Sequence, residues 1–129
     1  MKRLLSAVGC VFLGLIASGC SGKKVHITGR LTYGGVPLKG TDQEKIRVSF
    51  VGHGESARQT SPPVLADVDQ EEGTFEVTVR AGSYRISVSH FTDSLQDRYQ
   101  NAFGEDTSPI IRDLQSDQEL DLDLKELRK

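Results

Sequence analysis

A chain of 129 residues has room for one ordinary domain. Its 16 Lys and Arg stand against 18 Asp and Glu, a formal net charge of −2, so no surplus of positive charge exists for a polyanion and nucleic acid is not an expected partner. Aromatic residues make up 6% with no Trp, too few for a base-stacking platform or a Trp-lined sugar groove, and two cysteines exclude a disulfide-rich scaffold or a multi-cysteine zinc site.

The first element is a targeting device. Lys2 and Arg3 precede the uncharged run LLSAVGCVFLGLIASG, which ends at Cys20. A membrane-spanning helix needs about 20 apolar residues. This run is shorter and is interrupted by Ser6, Gly9, Gly14 and Ser18, so residues 1–19 read as a secretory signal. Its end, Ala17-Ser18-Gly19-Cys20, resembles the lipobox of bacterial lipoproteins. That resemblance implies a diacylated Cys20 thiol, cleavage before Cys20 and acylation of the new amine. An uncleaved signal anchor and ordinary cleavage near Ala17 are the alternatives. One acyl chain anchors only marginally, whereas two or three hold a domain on a membrane without help from its own surface. The membrane is therefore an expected partner through the acyl chains alone. Ser21 stands where an inner-membrane retention signal favours Asp, which by that sorting rule points to the outer membrane. Cys10 leaves with the signal, so the mature chain holds neither a free thiol nor a disulfide in an oxidising compartment. Residues 20–24 then form a lipidated tether and residues 25–129 the domain.

From Val25 onward the apolar residues recur with period two, the signature of half-buried strands. Val25, Ile27, Leu31 and Tyr33 form the first strand, and Gly34-Gly35 supplies the positive φ of a tight turn. Pro37 and Gly40 lie in an irregular connection to a second strand at Ile46, Val48 and Phe50. Residues 52–63 are a loop by composition. Val64, Ala66 and Val68 continue the alternation, and residues 70–73 turn the chain. Phe75, Val77 and Val79, then Tyr84, Ile86 and Val88, read as a hairpin closed at Ala81-Gly82-Ser83. Residues 93–108 lose the pattern, with a helical turn or two expected at Ser94–Phe103. Pro109 to Leu114 is a short strand of unassigned phase, and Leu120, Leu122 and Leu124 complete the set. Seven short strands with frequent turns predict an all-β, antiparallel seven-stranded β-sandwich.

The strings HITGRLTYGGVPLKG, IRVSFVG and ADVDQEEGTFEVTVRAGSYRISV resemble the carboxypeptidase-regulatory-like, or transthyretin-like, sandwich domain. More narrowly they resemble the small planctomycete-type lipoproteins built on it. The family's opening motif matches Gly29, Leu31, Tyr33, Gly35, Pro37 and Leu38. Its hairpin motif matches Asp69, Gly73, Phe75, Gly82 and Tyr84, and its late segments match Tyr99, Ser108-Pro109 and Leu120 to Leu124. The likeness covers about residues 25–124 and rests on turn glycines and core aromatics, which specify a fold rather than a chemistry. Phe75 and Tyr84 are expected as a core pair across the hairpin, with the Tyr84 hydroxyl finding a partner at the sandwich rim.

Site chemistry is sparse. His26, His53 and His90 lack the close pairing that sets a zinc geometry. The segment from Asp67 to Glu72 has Glu72 where a calcium loop requires Gly, so it reads as an acidic hairpin turn, with a weak calcium site as its alternative. Asp121 and Asp123 alternate with leucines on a solvated strand face. Gly52-His53-Gly54-Glu55-Ser56 has hydrolase residue types but not the order of a nucleophile elbow. The Tyr-Arg-Gly-Ser ending of the transthyretin-like hydroxyisourate hydrolases is missing. So is the close His pairing that intradiol dioxygenases place on iron beside two Tyr. No catalytic, cofactor-binding or metal residue is assigned. The chain reads as a non-enzymatic, lipid-anchored envelope module with a structural or protein-binding role. An envelope polysaccharide is the alternative ligand, and a transthyretin-like hydrolase using His53 the remaining one. Arg98, Tyr99 and Phe103, in the second irregular segment, form the candidate contact surface, because function on sandwiches gathers in loops.

Overall fold

The computed structural model describes residues 23–54 and 62–128. The signal over residues 1–19, the lipidation candidate Cys20 and the 55–61 part of the first long loop lie outside the described residues. Nine strands follow in order: β1 (Lys24–Tyr33), β2 (Val36–Pro37), β3 (Lys45–Gly52), β4 (Val64–Leu65), β5 (Asp67–Asp69), β6 (Thr74–Arg80), β7 (Gly82–Phe91), β8 (Ile111–Leu114) and β9 (Gln118–Asp123). A single helical turn, α1 (Leu124–Leu127), closes the described chain.

The strands form two facing sheets, a β-sandwich. One sheet runs β4-β3-β7-β8; the other runs β5-β6-β1, with β9 on the far edge of β1. Thr28 stands between Glu76 and Glu119, and Thr32 between Pro37 and Asp123, so β6 and then β2 share one edge of β1 while β9 takes the other. Alternation puts Val25, Ile27 and Leu31 of β1, Phe75, Val77 and Val79 of β6, and Leu120 and Leu122 of β9 into one core layer. Ile46, Val48 and Phe50 of β3 and Tyr84, Ile86 and Val88 of β7 supply the other. Phe50 joins the layers, its ring 6.1 Å from Phe75 and 6.2 Å from Tyr84.

Four expectations are corrected. The alternating run at 64–68 is two strands, because Val64–Leu65 pairs with β3 while Asp67–Asp69 pairs with β6 across the other layer. With β2, which pairs Tyr33 with Val36, this gives nine strands among the described residues rather than seven. The sandwich is not wholly antiparallel: β9 runs parallel to β1 from Ile27↔Gln118 to Thr32↔Asp123. Next, β6 and β7 do not form a hairpin. They lie in opposite sheets, with only Ala81 between them, and period two fixes a buried face without naming the neighbouring strand. The Tyr84 hydroxyl does reach the rim, donating to the Arg80 carbonyl at 2.7 Å. Finally, residues 94–103 form turns and no helix, since Leu95, Gln100 and Asn101 adopt φ of 63°, 53° and 65°.

The irregular segment has a structural task. β8 pairs only with the start of β7, from Gly82 to Arg85. Beyond it, Ile86 N–H donates to the Ile110 carbonyl at 2.8 Å, Val88 N–H to Phe103 at 2.9 Å, and the Arg98 N–H to His90 at 2.9 Å. The exposed edge of β7 is thereby satisfied, which blunts pairing with another chain.

Gly29 occupies an inward position of β1, between Phe75 on β6 and Leu120 on β9. A Cβ there would overlap the Phe75 ring and the Leu120 carbonyl. Gly29→Ala is expected to destabilise the fold by about 1–3 kcal/mol, the usual cost of overpacking. Urea unfolding checks this, and a midpoint equal to wild type would contradict it.

Candidate functional site

One end of the sandwich gathers residues from four parts of the chain around a single carboxylate. Thr41 starts a tight turn: its Oγ1 accepts from the Gln43 and Glu44 amides at 3.2 and 3.0 Å, and its N–H donates to the Glu44 carbonyl at 2.7 Å. The Gln70 side chain holds Ile46, two residues further on, accepting from its N–H and donating to its C=O, both at 2.9 Å. Glu44 is thus presented to the end of β7. Its Oε1 accepts from Arg98 Nε at 3.1 Å and Nη2 at 2.9 Å, and its Oε2 from Nη2 at 3.0 Å. Oε1 also lies 3.0 Å from His90 Nε2.

Asp97 sets the approach of Arg98. Its Oδ1 accepts from the amides of His90 at 3.0 Å and Tyr99 at 3.2 Å, and its Oδ2 from Asn101 at 3.0 Å. These bonds fold residues 97–101 into the turns that seal β7, with Arg98 outward and Tyr99 inward.

The electrostatics follow from this geometry. Hydrogen bonds from Arg98, assisted by the Arg98 and His90 charges, hold the Glu44 carboxyl below its ordinary range against the opposing effect of desolvation. Burial, and then the Arg98 charge, push His90 below its ordinary value, with Glu44 and Asp97 opposing. Ionised Glu44 only accepts, so Nε2 carries the imidazole proton. His90 Nδ1 is buried without a partner among the described residues, so a second proton would create an N–H with no acceptor there. The neutral ring is favoured.

A second carboxylate closes the opposite side. Asp123 accepts from Gly34 N–H at 3.0 Å and Gly35 N–H at 2.8 Å, and it caps α1 through the Lys125 and Glu126 amides. The Gly34 hydrogen bond leads the causes that keep its pKa below the ordinary range, while desolvation opposes them. This staple ties the β1–β2 turn, and so Tyr33, to the helical turn that ends at Arg128. Tyr33 lies flat over Tyr99, with centroids 6.2 Å apart and planes within 13°. Tyr99 meets Phe103 edge-on at 5.7 Å. Burial, then the Asp97 charge, push the Tyr99 hydroxyl up to about 12, so it remains protonated and a donor.

Tyr33, Leu38, His90, Arg98, Tyr99 and Arg128 line a recess of about 350 Å³. Two of the three sequence candidates meet here: Arg98 at the half-exposed mouth and Tyr99, 6% exposed, in the wall. Phe103 does not belong to a contact surface. It is 0% exposed, because the segment that closes the β7 edge turns its ring into the core. Glu44, Tyr33 and Arg128 were not legible as site residues. They lie far from residue 98 in sequence, and no local spacing announces them.

A larger recess, about 490 Å³, lies on the outer face of the other sheet beside Asp67, Asp69, Glu76 and Glu119. Asp69 Oδ1 there accepts from the Glu71 and Glu72 amides at 3.0 and 3.1 Å, so the acidic turn organises its own backbone. Among the described residues no three His, Cys, Asp or Glu side chains converge as a metal would require. His26 sits on that same sheet, 3.6 Å from Glu76, and His53 follows β3, apart from His90.

The His90 arrangement makes stability depend on pH. The unfolded chain takes up the imidazole proton near 6.5, before the folded chain does. This contribution is therefore intact above that value and is lost as pH falls from there through the lower folded-state pKa. Denaturant unfolding between about pH 8 and about pH 5 should show wild type losing stability relative to His90→Phe. Parallel pH profiles would contradict the arrangement.

No family model matches the chain, and no curated protein matches it. Among solved structures it is similar to a DUF3823 family protein from Parabacteroides merdae, with 22% identity and a TM-score of 0.53. The match covers 80% of this chain and 46% of that one, so this chain spans less than half of its neighbour's length. The likeness carries the fold: a predominantly β chain in two facing sheets.

Proposed function

We propose that this chain is a lipid-anchored, non-enzymatic module of the bacterial cell envelope that holds a partner protein at the Tyr33–Arg128 end. Its anchoring rests on the Ala17-Ser18-Gly19-Cys20 lipobox resemblance and its outer-membrane address on Ser21. The closer kinship with carboxypeptidase-regulatory-like lipoproteins rests on the motif residues Gly35, Pro37, Gly73 and Tyr84.

The observation that carries the binding role is the recess itself, a stacked tyrosine pair beside two arginines. Next to it Val36 is 65% exposed and Tyr33 36%, while Leu38 lines the wall. Aliphatic side chains at the mouth suit a polypeptide better than a sugar, which favours a row of open aromatic faces. Catalysis is disfavoured because His90 has its Nε2 on Glu44 and its Nδ1 buried, leaving neither nitrogen for a substrate proton.

Two measurements test this reading. Cys20→Ala should abolish acyl labelling in cells and leave an unprocessed precursor, and normal cleavage with continued labelling would contradict the anchor. A photoreactive residue at Val36 in the lipidated protein should capture a discrete envelope protein, and the same probe at Glu119 on the acidic face should not. Adducts only at Glu119, or at neither position, would contradict the assigned end.

A further inference from the structure

We propose that the recess between Tyr33, Tyr99, Arg98 and Arg128 is a carboxylate-binding site, filled by an acidic side chain of the partner polypeptide. This deepens the protein-binding reading and rests on it.

Donors outnumber acceptors in this recess. Arg98 commits Nε and Nη2 to Glu44, and no acceptor among the described residues meets its Nη1. Arg128 lines the same recess without an ion-pair partner among the described residues. The Tyr33 and Tyr99 hydroxyls likewise have no acceptor among the described residues. Tyr99 is buried, and it lines the recess. Every one of these groups donates, and guanidinium groups have no acceptor atom to offer one another.

The nearby carboxylate does not fill the deficit. Glu44 already takes three hydrogen bonds from Arg98 and one from His90, and its charge is balanced by Arg98. Asp97, the other carboxylate whose charge reaches Tyr99, spends its oxygens on the His90, Tyr99 and Asn101 amides, so the Arg128 donors stay unmatched among the described residues. The missing component is an acceptor-rich anion. A carboxylate offers about four lone pairs and accepts from a guanidinium in the plane of its fork.

Size and surroundings select among anions. About 350 Å³ stands near the small end of ligand pockets, enough for a carboxylate on a short aliphatic stem. Leu38 and the stacked tyrosines supply the apolar wall for such a stem, and Val36 stands outside to meet the neighbouring residue of a peptide. Asp123 holds Tyr33 and the Arg128 turn together before any ligand arrives, so the donors are preorganised.

The test is an NMR titration of the full-length protein in nonionic detergent micelles, followed through its three tyrosine rings. The probe is glutamate blocked as N-acetyl and N-methylamide. Tyr33 and Tyr99 resonances should shift with millimolar half-saturation, while Tyr84, buried and bonded to Arg80, stays fixed as an internal control. Arg128→Gln should weaken binding about tenfold or more, as loss of a charged hydrogen bond does. Tyr33→Phe, which keeps the ring, should weaken it by a smaller factor. The proposal is overturned if blocked glutamine shifts the same rings equally, or if blocked glutamate produces no shift. It is overturned also if glucuronate binds and blocked glutamate does not, which would assign the recess to acidic sugars. A null titration with Val36 crosslinking intact would sink the carboxylate site alone. Loss of crosslinking with a positive titration would sink the partner reading instead.

Discussion

The end of this sandwich that carries the site depends on one carboxylate in one place. Glu44 ties the connection before β3 to His90 at the end of β7 and to Arg98 on the segment that seals β7. The fork of Arg98 meets it at two nitrogens, a geometry a lysine would not reproduce. Removing the carboxylate would leave a half-exposed guanidinium without its anion and a buried imidazole without its acceptor. The two losses fall on the same wall of the recess.

That wall exists because β8 is short. A full-length partner strand would have sealed β7 with regular ladder bonds and left no room for Tyr99 or Phe103 to enter the core. Instead residues 97–110 satisfy the β7 amides one at a time, and Asp97 folds the chain between those contacts. The irregular backbone seals an edge, fills one end of the core and presents Arg98 outward. Binding capacity at this end is thus a by-product of edge protection, placed on a rigid scaffold by the two sheets beneath.

Much of the fold was legible in period two. The inward apolar residues of β1, β3, β6, β7 and β9 are those that alternation selects, because each sheet turns one apolar face to the other; Ser49 and Ser87, on the opposite face of β3 and β7, are buried as well. Pairing was less legible. Val64, Ala66 and Val68 alternate without a break although the chain changes sheets at Ala66, since a residue's phase does not record which neighbour it bonds. The parallel partnership of β1 and β9 joins residues some 90 positions apart and leaves no local trace. At the site, Arg98 and Tyr99 stood out as loop residues with chemistry. Phe103 was misjudged because a polar, patternless segment gives no sign of which aromatic it buries. Glu44 and Arg128 looked like ordinary surface charges, and only long-range convergence distinguishes them.

The most direct measurement is nitrogen-15 NMR of the His90 imidazole in the intact protein across the acidic range. The ring should be protonated at Nε2 alone near neutrality and gain its second proton only below the ordinary histidine value of 6.5. A ring that carries its neutral-state proton on Nδ1, or that becomes cationic above 6.5, would mean that Glu44 does not organise this end of the molecule as described.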